Sequence, residues 1–343
     1  MKELRIGVWG FGAMGQGIAE MTGNKTGLKV SGVCDLNPEY IGRNIGEIIE
    51  YDDTPVYVTS NIDEVLENQP DVLFIATDSF TIDSFPKIKQ GILKGVNIIS
   101  TAEEMAYPKA NQPELAKEID QLAKDNGVTV LGTGINPGFV MDLLAIMMTA
   151  PMVDVQKVEV KRVNSLSPFG KTVMDEQGVG ITVDAFNEKK SKGELAGHVG
   201  FKESIFMIAE ALGVEITKFE QQMEPIVSNV DRKSKYGQAL QGTLAGINMT
   251  AQASVGDVNF IDMDHPQQIE PETEGTYTGD YVKITGTPDV NLSINPEIEG
   301  GLGTIAMCVN MVPHVINSNP GLKTMIDLPV PRAIIGDARN LIK

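Results

Sequence analysis

Cysteine, tryptophan and histidine are scarce in this sequence, with 2, 1 and 3 copies in 343 residues. Cys34 and Cys308 lie far apart in apolar stretches, so the sequence predicts buried free thiols rather than a disulfide framework or the activated nucleophile of a semialdehyde dehydrogenase. The three histidines, His198, His265 and His314, share no ligand spacing with one another or with a cysteine pair. These scarcities argue against disulfide-stapled folds, thiol catalysis and metal sites.

Positive charge and long apolar runs are also in short supply. The chain has 28 Lys and Arg residues against 46 Asp and Glu residues, and its formal net charge of −18 disfavours nucleic acid and anionic membranes as partners. No segment approaches the roughly 20 apolar residues of a transmembrane helix, and the first residues are not those of a signal peptide. We therefore expect a cytoplasmic protein that acts on a small molecule, and the acidic balance is compatible with a cationic substrate.

Glycine, in contrast, is plentiful, and three of the 35 glycines form a motif near the N-terminus. The apolar run Leu4–Trp9 predicts a strand, and Gly10, Gly12 and Gly15 then complete Gly-x-Gly-x-x-Gly at the start of a helical pattern. The first glycine allows a tight turn, the second lets a pyrophosphate approach the backbone, and the third lets the helix pack on the strand. This order predicts a dinucleotide site with phosphates at the helix N-terminus, and a purely structural glycine turn is the alternative.

An acid follows the second predicted strand, Lys29–Cys34. Asp35 lies about 20 residues after the glycine motif, where an acid binds the adenosine ribose hydroxyls of NAD. The alternative is that Asp35 only caps the turn that it begins before Pro38. A carboxylate here repels the 2′-phosphate of NADP, whereas Arg43 downstream could tolerate it. We therefore expect NAD to be preferred and NADP to be usable.

Residues 1 to about 132 alternate short apolar runs with amphipathic stretches. The strand candidates are Leu4–Trp9, Lys29–Cys34, Pro55–Thr59, Val72–Ala76, Val96–Ser100 and Val128–Leu131. Such alternation predicts an α/β fold with a parallel, doubly wound Rossmann sheet, whose ligands bind beyond the carboxyl ends of the strands. Polar or glycine-rich loops follow three of the predicted strands at that edge, at residues 76–79, 100–104 and 132–139.

The pattern changes after Gly138. The later elements are predicted to be an apolar helix at Val140–Met148, a strand at Val155–Val163, a helix at Phe201–Leu212 and an apolar helix at Ile305–Ile316. Strands of a mainly antiparallel sheet are expected within Gln238–Phe260 and at Tyr281–Ile284, and an exposed polar hairpin tip or loop is expected at Asp264–Gly279. We place a dinucleotide-binding domain at residues 1–135, completed by a returning segment at 301–343, and an α+β domain with an open-faced sheet, for substrate binding and dimerisation, at 136–300. An apolar face left over on the second sheet would be covered by a second copy, so we expect a homodimer.

One pair of residues is the candidate for acid–base chemistry. Glu103 and Glu104 lie in the loop after the fifth strand, where the nicotinamide end of a dinucleotide is expected. A carboxylate there can take a proton from a substrate ammonium or orient a water molecule, and burial would raise its pKa toward the working pH. The alternative is a pair of surface acids stabilised by the dipole of the helix that follows.

The chain resembles the family of 2,4-diaminopentanoate dehydrogenases and native amine dehydrogenases, which share the dihydrodipicolinate reductase fold. The resemblance is carried by GVWGFGAMGQGIAE, STAEEMAYP, GTGINPGFVMD and NMVPHVINSNPGLKTMIDLP, and it runs over essentially the whole chain. It implies NAD(P)-dependent oxidative deamination of 2,4-diaminopentanoate at C4, with 2-amino-4-oxopentanoate and ammonia as products. It also implies that either Glu103 or Glu104 is the acid–base residue, and the choice between them stays open.

The candidate site residues follow from the glycine motif, the strand ends and this resemblance. The cofactor set is Gly10, Phe11, Gly12, Ala13, Met14, Gly15, Asp35, Ala76, Thr77, Asp78, Thr101, Asn136 and Pro137. Asn136 is expected to bind the nicotinamide carboxamide or the substrate, unless it caps a helix that begins at Pro137. The substrate carboxylate needs a cation or a cluster of donors, for which Arg162, Asn164 and His198 are candidates, although each also fits a structural role.

Two other functions remain open at this point. An amine dehydrogenase that acts on simple ketones and ammonia would keep the glutamate and lose only the carboxylate clamp. A non-catalytic sensor of NAD(P) would bind the cofactor and would not depend on Glu103 or Glu104. Formation of NAD(P)H from 2,4-diaminopentanoate separates the enzyme from the sensor.

Overall fold

The structure is a computed structural model that describes residues 2–51 and 55–343. The chain forms two compact units, the first made of Met1–Phe139 together with Gly300–Lys343 and the second of Val140–Glu299. Each unit is built on its own sheet.

The first unit begins with alternating strands and helices. In chain order these are β1 (Leu4–Trp9), α1 (Ala13–Gly23), β2 (Leu28–Cys34), β3 (Val58–Thr59), α2 (Ile62–Glu67), β4 (Val72–Ile75), α3 (Thr81–Leu93), β5 (Asn97–Ser100), α4 (Pro113–Asp125) and β6 (Thr129–Gly132). Every strand expected in this stretch is present, although β3 is only two residues long.

The second unit follows, and the chain then returns to the first. The second unit contains α5 (Leu143–Thr149), β7 (Asp154–Ser165), α6 (Lys171–Glu176), α7 (Val183–Lys192), α8 (Phe201–Leu212), β8 (Lys218–Val227), β9 (Arg232–Lys233), β10 (Gln238–Ala239), β11 (Leu244–Val255), β12 (Val258–Gln268), β13 (Gly279–Thr287) and β14 (Val290–Ile294). The returning segment forms α9 (Gly300–Asn310), α10 (Val312–Ile316) and β15 (Gly321–Lys323). Among the helices of residues 2–51 and 55–343, none is long and apolar enough to cross a bilayer.

The sheet of the first unit is parallel throughout its described strands. Their order is β15-β6-β5-β4-β1-β2-β3. Central strands such as β4, whose four residues are all buried, read as continuous apolar runs because both faces of the sheet are covered. The strand order reverses between β1 and β4, and the crevice at such a switch point is where doubly wound sheets bind ligands. The predicted Rossmann fold class is confirmed.

The second unit holds a mixed sheet with the order β14-β13-β7-β12-β11-β8. Of its described neighbouring pairs, β7 and β12 run parallel and the others antiparallel. Alternation along β7 buries Val158 and Val160 on one face and leaves charged side chains on the other, which we call the open face. Cross-strand ion pairs cover the open face, joining Lys157 to Asp262 at 2.5 Å, Lys161 to Asp264 at 2.8 Å and Lys283 to Glu159 at 2.8 Å.

The prediction that an apolar face of this sheet is left uncovered is therefore wrong. Period-two alternation sends the apolar side chains of each long strand to the buried face, so what remains on the open face is polar. The stated reason for a homodimer is lost with it, and the homodimer itself stays a prediction.

Several elements differ from the expected ones, and three of these differences are examples. Strand β12 continues to Gln268, so the first part of the loop expected at Asp264–Gly279 is extended and paired. Strand β8 was not expected, because it is mostly polar and contains Pro225, which an edge strand tolerates. The long apolar helix expected at Ile305–Ile316 is divided into α9 and α10, the second of which has Pro313 in its first turn.

Candidate active site

The glycine loop between β1 and α1 is shaped by close backbone contacts. Gly10 has φ +96°, and a Cβ on it would lie 2.6 Å from the Ala76 carbonyl oxygen. A Cβ on Gly15 would lie 1.8 Å from the Gly10 carbonyl oxygen, whereas one on Gly12 would meet no described atom within 4 Å. Two glycines are thus required by the protein itself, and the third leaves space for a ligand. This division matches the roles expected for a dinucleotide motif.

The start of α1 offers free backbone donors to an anion. Gly12 is the N-cap residue and provides no side chain to bind the first N–H groups. Asp35 holds the loop in place, because its carboxylate accepts hydrogen bonds from the Phe11 N–H and, at 2.7 Å, from the Asn37 N–H. The turn-capping role of Asp35 is therefore present. Its contact with a ribose stays a prediction, which the remaining lone pairs of a carboxylate permit.

A cleft of about 440 Å³ lies at the carboxyl ends of β4, β5 and β6 in the first unit. It is lined by Met14, Ala76, Thr77, Asp78, Ser79, Phe80, Asp83, Thr101, Ala102, Glu103, Thr133, Gly134, Asn136, Pro137 and Thr304. Seven residues of the expected cofactor set are among them: Met14, Ala76, Thr77, Asp78, Thr101, Asn136 and Pro137. The described lining includes three acids and no Lys, Arg or His, and the acid Asp78 is paired with Lys87 at 2.5 Å. The cleft therefore favours a cationic ligand.

The two adjacent glutamates have different environments. Glu104 is buried, its Oε2 accepts a hydrogen bond of 2.7 Å from the Thr81 N–H at the start of α3, and its own N–H donates to the Ser79 carbonyl oxygen. Glu103 is half-buried and lines the cleft. Burial raises the pKa of Glu103, and a hydrogen bond with the Ser79 side chain partly opposes that rise. The arrangement singles out Glu103 as the carboxylate available to a ligand.

Asn136 presents an amide without a protein partner. Its Oδ1 and Nδ2 atoms are both buried, and neither finds a hydrogen-bond partner among the described residues. The helix that it was expected to cap does not begin there, because α5 begins at Leu143 with Asp142 as its N-cap. The capping alternative is therefore wrong. A nicotinamide carboxamide offers one donor group and one acceptor, so the residues present fit that cofactor.

The second unit contains the residues expected to clamp a carboxylate. Arg162 is buried, with Nη1 2.5 Å from Asp280 Oδ1 and Nη2 donating to the Ile298 carbonyl oxygen at 2.6 Å. These two partners neutralise the charge of Arg162 and argue against its binding a substrate carboxylate. That role for Arg162 stays a prediction. Asn164 is buried beside β12, and the His198 ring lies 4.9 Å from the His265 ring. Sequence reasoning did not select His265 as a site residue.

The cysteines are free and buried, as predicted. Burial raises the pKa of Cys34 to about 11 and that of Cys308 to about 12, so both stay protonated thiols near neutral pH. Within the described ranges, no three His, Cys, Asp or Glu side chains converge to hold a metal ion.

Alanine substitutions at two glycines test the loop. Gly15→Ala is expected to lower the stability of the ligand-free protein by about 1–3 kcal/mol, because its Cβ would overlap the Gly10 carbonyl. Gly12→Ala is the matched control, and it should leave the melting temperature nearly unchanged while it weakens NAD binding. Thermal unfolding and fluorescence titration with NADH measure the two effects. Equal loss of stability in both variants would contradict this division of roles.

Comparison with known proteins agrees with this geometry. The family model for the 2,4-diaminopentanoate dehydrogenase C-terminal domain matches residues 139–343, and the model for the dihydrodipicolinate reductase N-terminus matches residues 4–86. A 2,4-diaminopentanoate dehydrogenase from Acetoanaerobium sticklandii is 54% identical, with 100% of this chain and 98% of that protein covered.

Solved structures agree at the level of the fold. An amine dehydrogenase from Mycobacterium smegmatis matches with a TM-score of 0.85 at 24% identity, covering 96% of this chain and 97% of that one. GenD2 from gentamicin A biosynthesis, solved in complex with NAD, matches with a TM-score of 0.56 at 15% identity, covering 99% and 91%. With its full-length relative and the match over residues 139–343, the chain belongs to the 2,4-diaminopentanoate dehydrogenase family.

Proposed function

We propose that the protein is an NAD(P)-dependent amine dehydrogenase that deaminates 2,4-diaminopentanoate at C4. The observation that carries this proposal is Glu103, a half-buried carboxylate in a cleft whose described lining contains acids and no basic side chain. A diamino acid has two ammonium groups, so such a cleft attracts it. Membership of the family supports the same substrate and reaction.

The reaction balances with one water molecule. The amino acid, NAD(P)⁺ and water give 2-amino-4-oxopentanoate, an ammonium ion, NAD(P)H and a proton. A nicotinamide held by the Asn136 amide would supply the acceptor for the hydride that leaves C4. Glu103 first takes a proton from the C4 ammonium, because only the free amine can release electron density toward C4. Once Glu103 has passed that proton to solvent, it directs a water molecule to C4 of the resulting imine.

Matched glutamine variants separate the two glutamates. Glu103→Gln should lower kcat by about 10²- to 10⁴-fold, because the amide cannot accept a proton, and NADH binding should be retained. Glu104→Gln keeps an oxygen that accepts the hydrogen bond from the Thr81 N–H, so its kcat should stay at least tenfold above that of Glu103→Gln. Steady-state formation of NADH measures both. A more damaged Glu104→Gln enzyme would contradict the assignment of Glu103.

The protonation state of Glu103 should also determine how kcat/KM depends on pH. Because the pKa of Glu103 is raised and its deprotonated form is the active one, kcat/KM should fall as the pH drops through that raised value. The acid limb should therefore lie above the ordinary pKa range of a glutamate. It should be missing from the residual activity of the Glu103→Gln enzyme.

An amine dehydrogenase that aminates simple ketones is the second candidate. It is favoured by the lack of a basic side chain in the described lining of the cleft, since no cation there binds a carboxylate. Higher kcat/KM for 2-pentanone with ammonia than for 2-amino-4-oxopentanoate with ammonia would favour this reading. A sensor would form no NAD(P)H from any amine.

We further propose that NAD is preferred over NADP. Asp35 follows β2, and its negative charge lies where an acid of this fold faces the ribose. The kcat/KM with NAD should exceed that with NADP. Asp35→Asn should lower the ratio of these two kcat/KM values by about tenfold, because it removes one unit charge and keeps an acceptor for the Phe11 N–H. Equal or better use of NADP by the unaltered enzyme would overturn this proposal.

The partners that we propose are the small diamino acid and a second copy of the chain. The open face mixes lysines and acids in ion pairs, so two copies related by a two-fold axis can meet there with opposite charges facing. Light scattering should give twice the mass of one chain, and Lys161→Glu should shift the equilibrium toward the monomer. A single-chain mass at micromolar concentration would contradict the proposal.

A further inference from the structure

One side chain from the returning segment reaches the cleft of the first unit. Thr304 lies near the start of α9 and lines the cleft together with Glu103 and Asn136. Its hydroxyl contacts Ile135, which lies 169 residues earlier in the chain, so no local motif connects it with the loop after β6. The proposed reaction gives Thr304 no task, although the residue belongs to the lining of the candidate site.

Close packing within the first unit fixes the position of α9. A Cβ on Gly303 would lie 2.8 Å from Ile135 Cδ1, so α9 lies directly against the loop after β6. On the α1 side, a Cβ on Gly17 would lie 2.2 Å from Ile305 Cδ1. Thr304 stands between Gly303 and Ile305 in the chain, and contacts on both sides therefore hold it in place. Helix α9 joins the helix that follows the glycine motif to the loop after β6.

The hydroxyl of Thr304 has one partner and can take a second. Its Oγ1 accepts a hydrogen bond of 3.2 Å from the N–H of Ile135, the residue directly before Asn136. A backbone N–H can only donate, so the hydroxyl proton is left for another acceptor. A helical threonine often returns this proton to a carbonyl one turn earlier. Thr304 makes no such bond to any residue within 2–51 and 55–343.

Thr304 and Asn136 together match the hydrogen-bonding groups of a primary carboxamide. Asn136 Oδ1 and Nδ2 have no partner among the described residues, so the two side chains leave one acceptor, one amide donor and one hydroxyl donor unused. A carboxamide has an oxygen with two lone pairs and an NH₂ group. The oxygen can accept from both donors, and the NH₂ group can donate to Oδ1. A carboxylate or a ketone lacks the NH₂ group and would leave Oδ1 unpaired.

We propose that Thr304 is a nicotinamide-binding residue, whose hydroxyl donates to the carboxamide oxygen of the cofactor. The proposal rests on the proposed function in one respect, that the protein binds NAD(P), and it does not depend on which amine is oxidised. Because Thr304 Oγ1 also holds the Ile135 N–H, one hydroxyl serves both the cofactor and the loop that carries Asn136. Two side chains that hold the carboxamide also stop the ring from turning over, so one face is kept toward the substrate.

The binding of cofactor fragments tests the proposal. Thr304→Val keeps the shape of the side chain and removes the hydroxyl, so it should raise the Kd of NADH by about three- to tenfold. The Kd of ADP-ribose, which lacks the nicotinamide, should stay unchanged. Thr304→Ser keeps the hydroxyl and should restore the affinity for NADH. Isothermal titration calorimetry measures all three without turnover of a substrate.

Cofactor analogues identify the acceptor atom. 3-Acetylpyridine adenine dinucleotide keeps the carbonyl oxygen and has a methyl group in place of the NH₂ group, so Thr304→Val should weaken its binding as much as that of NAD. Thionicotinamide adenine dinucleotide has sulfur in place of the oxygen. Sulfur is a weak acceptor, so Thr304→Val should weaken the binding of this analogue by a smaller factor. Equal factors for the oxygen and sulfur forms would contradict a bond to the carboxamide oxygen.

Control variants separate the alternatives. Thr22→Val removes another buried hydroxyl of the first unit, near the end of α1, and should change none of these Kd values. Thr304→Ala removes the hydroxyl without a new methyl contact and should give the same pattern as Thr304→Val, including where the valine variant does not fold. Equal losses for NADH and ADP-ribose would show that Thr304 only supports the fold and would overturn the inference. Unchanged affinity for NADH would show that the hydroxyl binds only water and would also overturn it.

A separate measurement distinguishes failure of this inference from failure of the proposed function. If the unaltered protein binds NADH and the variants give the expected pattern, the inference is supported whatever the amine substrate. Absence of NAD(P)H formation from 2,4-diaminopentanoate by that same protein would then reject the proposed reaction alone.

Discussion

The hydrogen bond from the Thr81 N–H to the Glu104 carboxylate is the contact on which the candidate site depends. It joins the first residue of α3 to the turn after β5, and the Glu104 N–H ties the same turn to Ser79. A negative group at a helix N-terminus is favoured both by the free N–H groups and by the helix dipole. Neighbouring residues of a 3₁₀ turn point about 120° apart, so fixing Glu104 in the interior directs Glu103 elsewhere. Gly132 supports the arrangement from β6, since a Cβ there would lie 2.1 Å from the Met105 carbonyl oxygen.

Much of the first unit could be predicted from sequence because its signals are local. The strand, the three glycines and the helix lie within 23 residues, and the apolar runs of the parallel strands are continuous. The carboxyl ends of parallel strands lie at the same edge of a sheet. The residues that follow β4, β5 and β6 could therefore be expected to lie close together without any knowledge of side-chain packing. The choice of the acid–base residue between Glu103 and Glu104 could not be made from such local signals. The two side chains are chemically identical neighbours, and a contact with Thr81, 23 residues away in the chain, tells them apart.

The second unit was harder to predict because its chemistry depends on register between distant strands. Arg162 was expected to offer a free charge, yet its partner Asp280 lies 118 residues away. Gln267 stood in a stretch expected to be an exposed loop, and only the pairing of β12 with β7 turns it toward Asn164. Gln177 looks like an ordinary surface residue in the sequence. A buried glutamine with an unpaired oxygen becomes visible only when hydrogen bonds are counted in three dimensions.

The two kinds of acceptor in this protein suit two different tasks. A carboxylate whose pKa burial has raised, such as Glu103, can take a proton from an ammonium and so begin the oxidation of the carbon that bears it. An amide oxygen, such as that of Gln177, accepts a hydrogen bond but has no useful basicity near neutral pH. An ammonium held only by amides keeps its proton and its positive charge, and a carbon next to a protonated nitrogen cannot release a hydride.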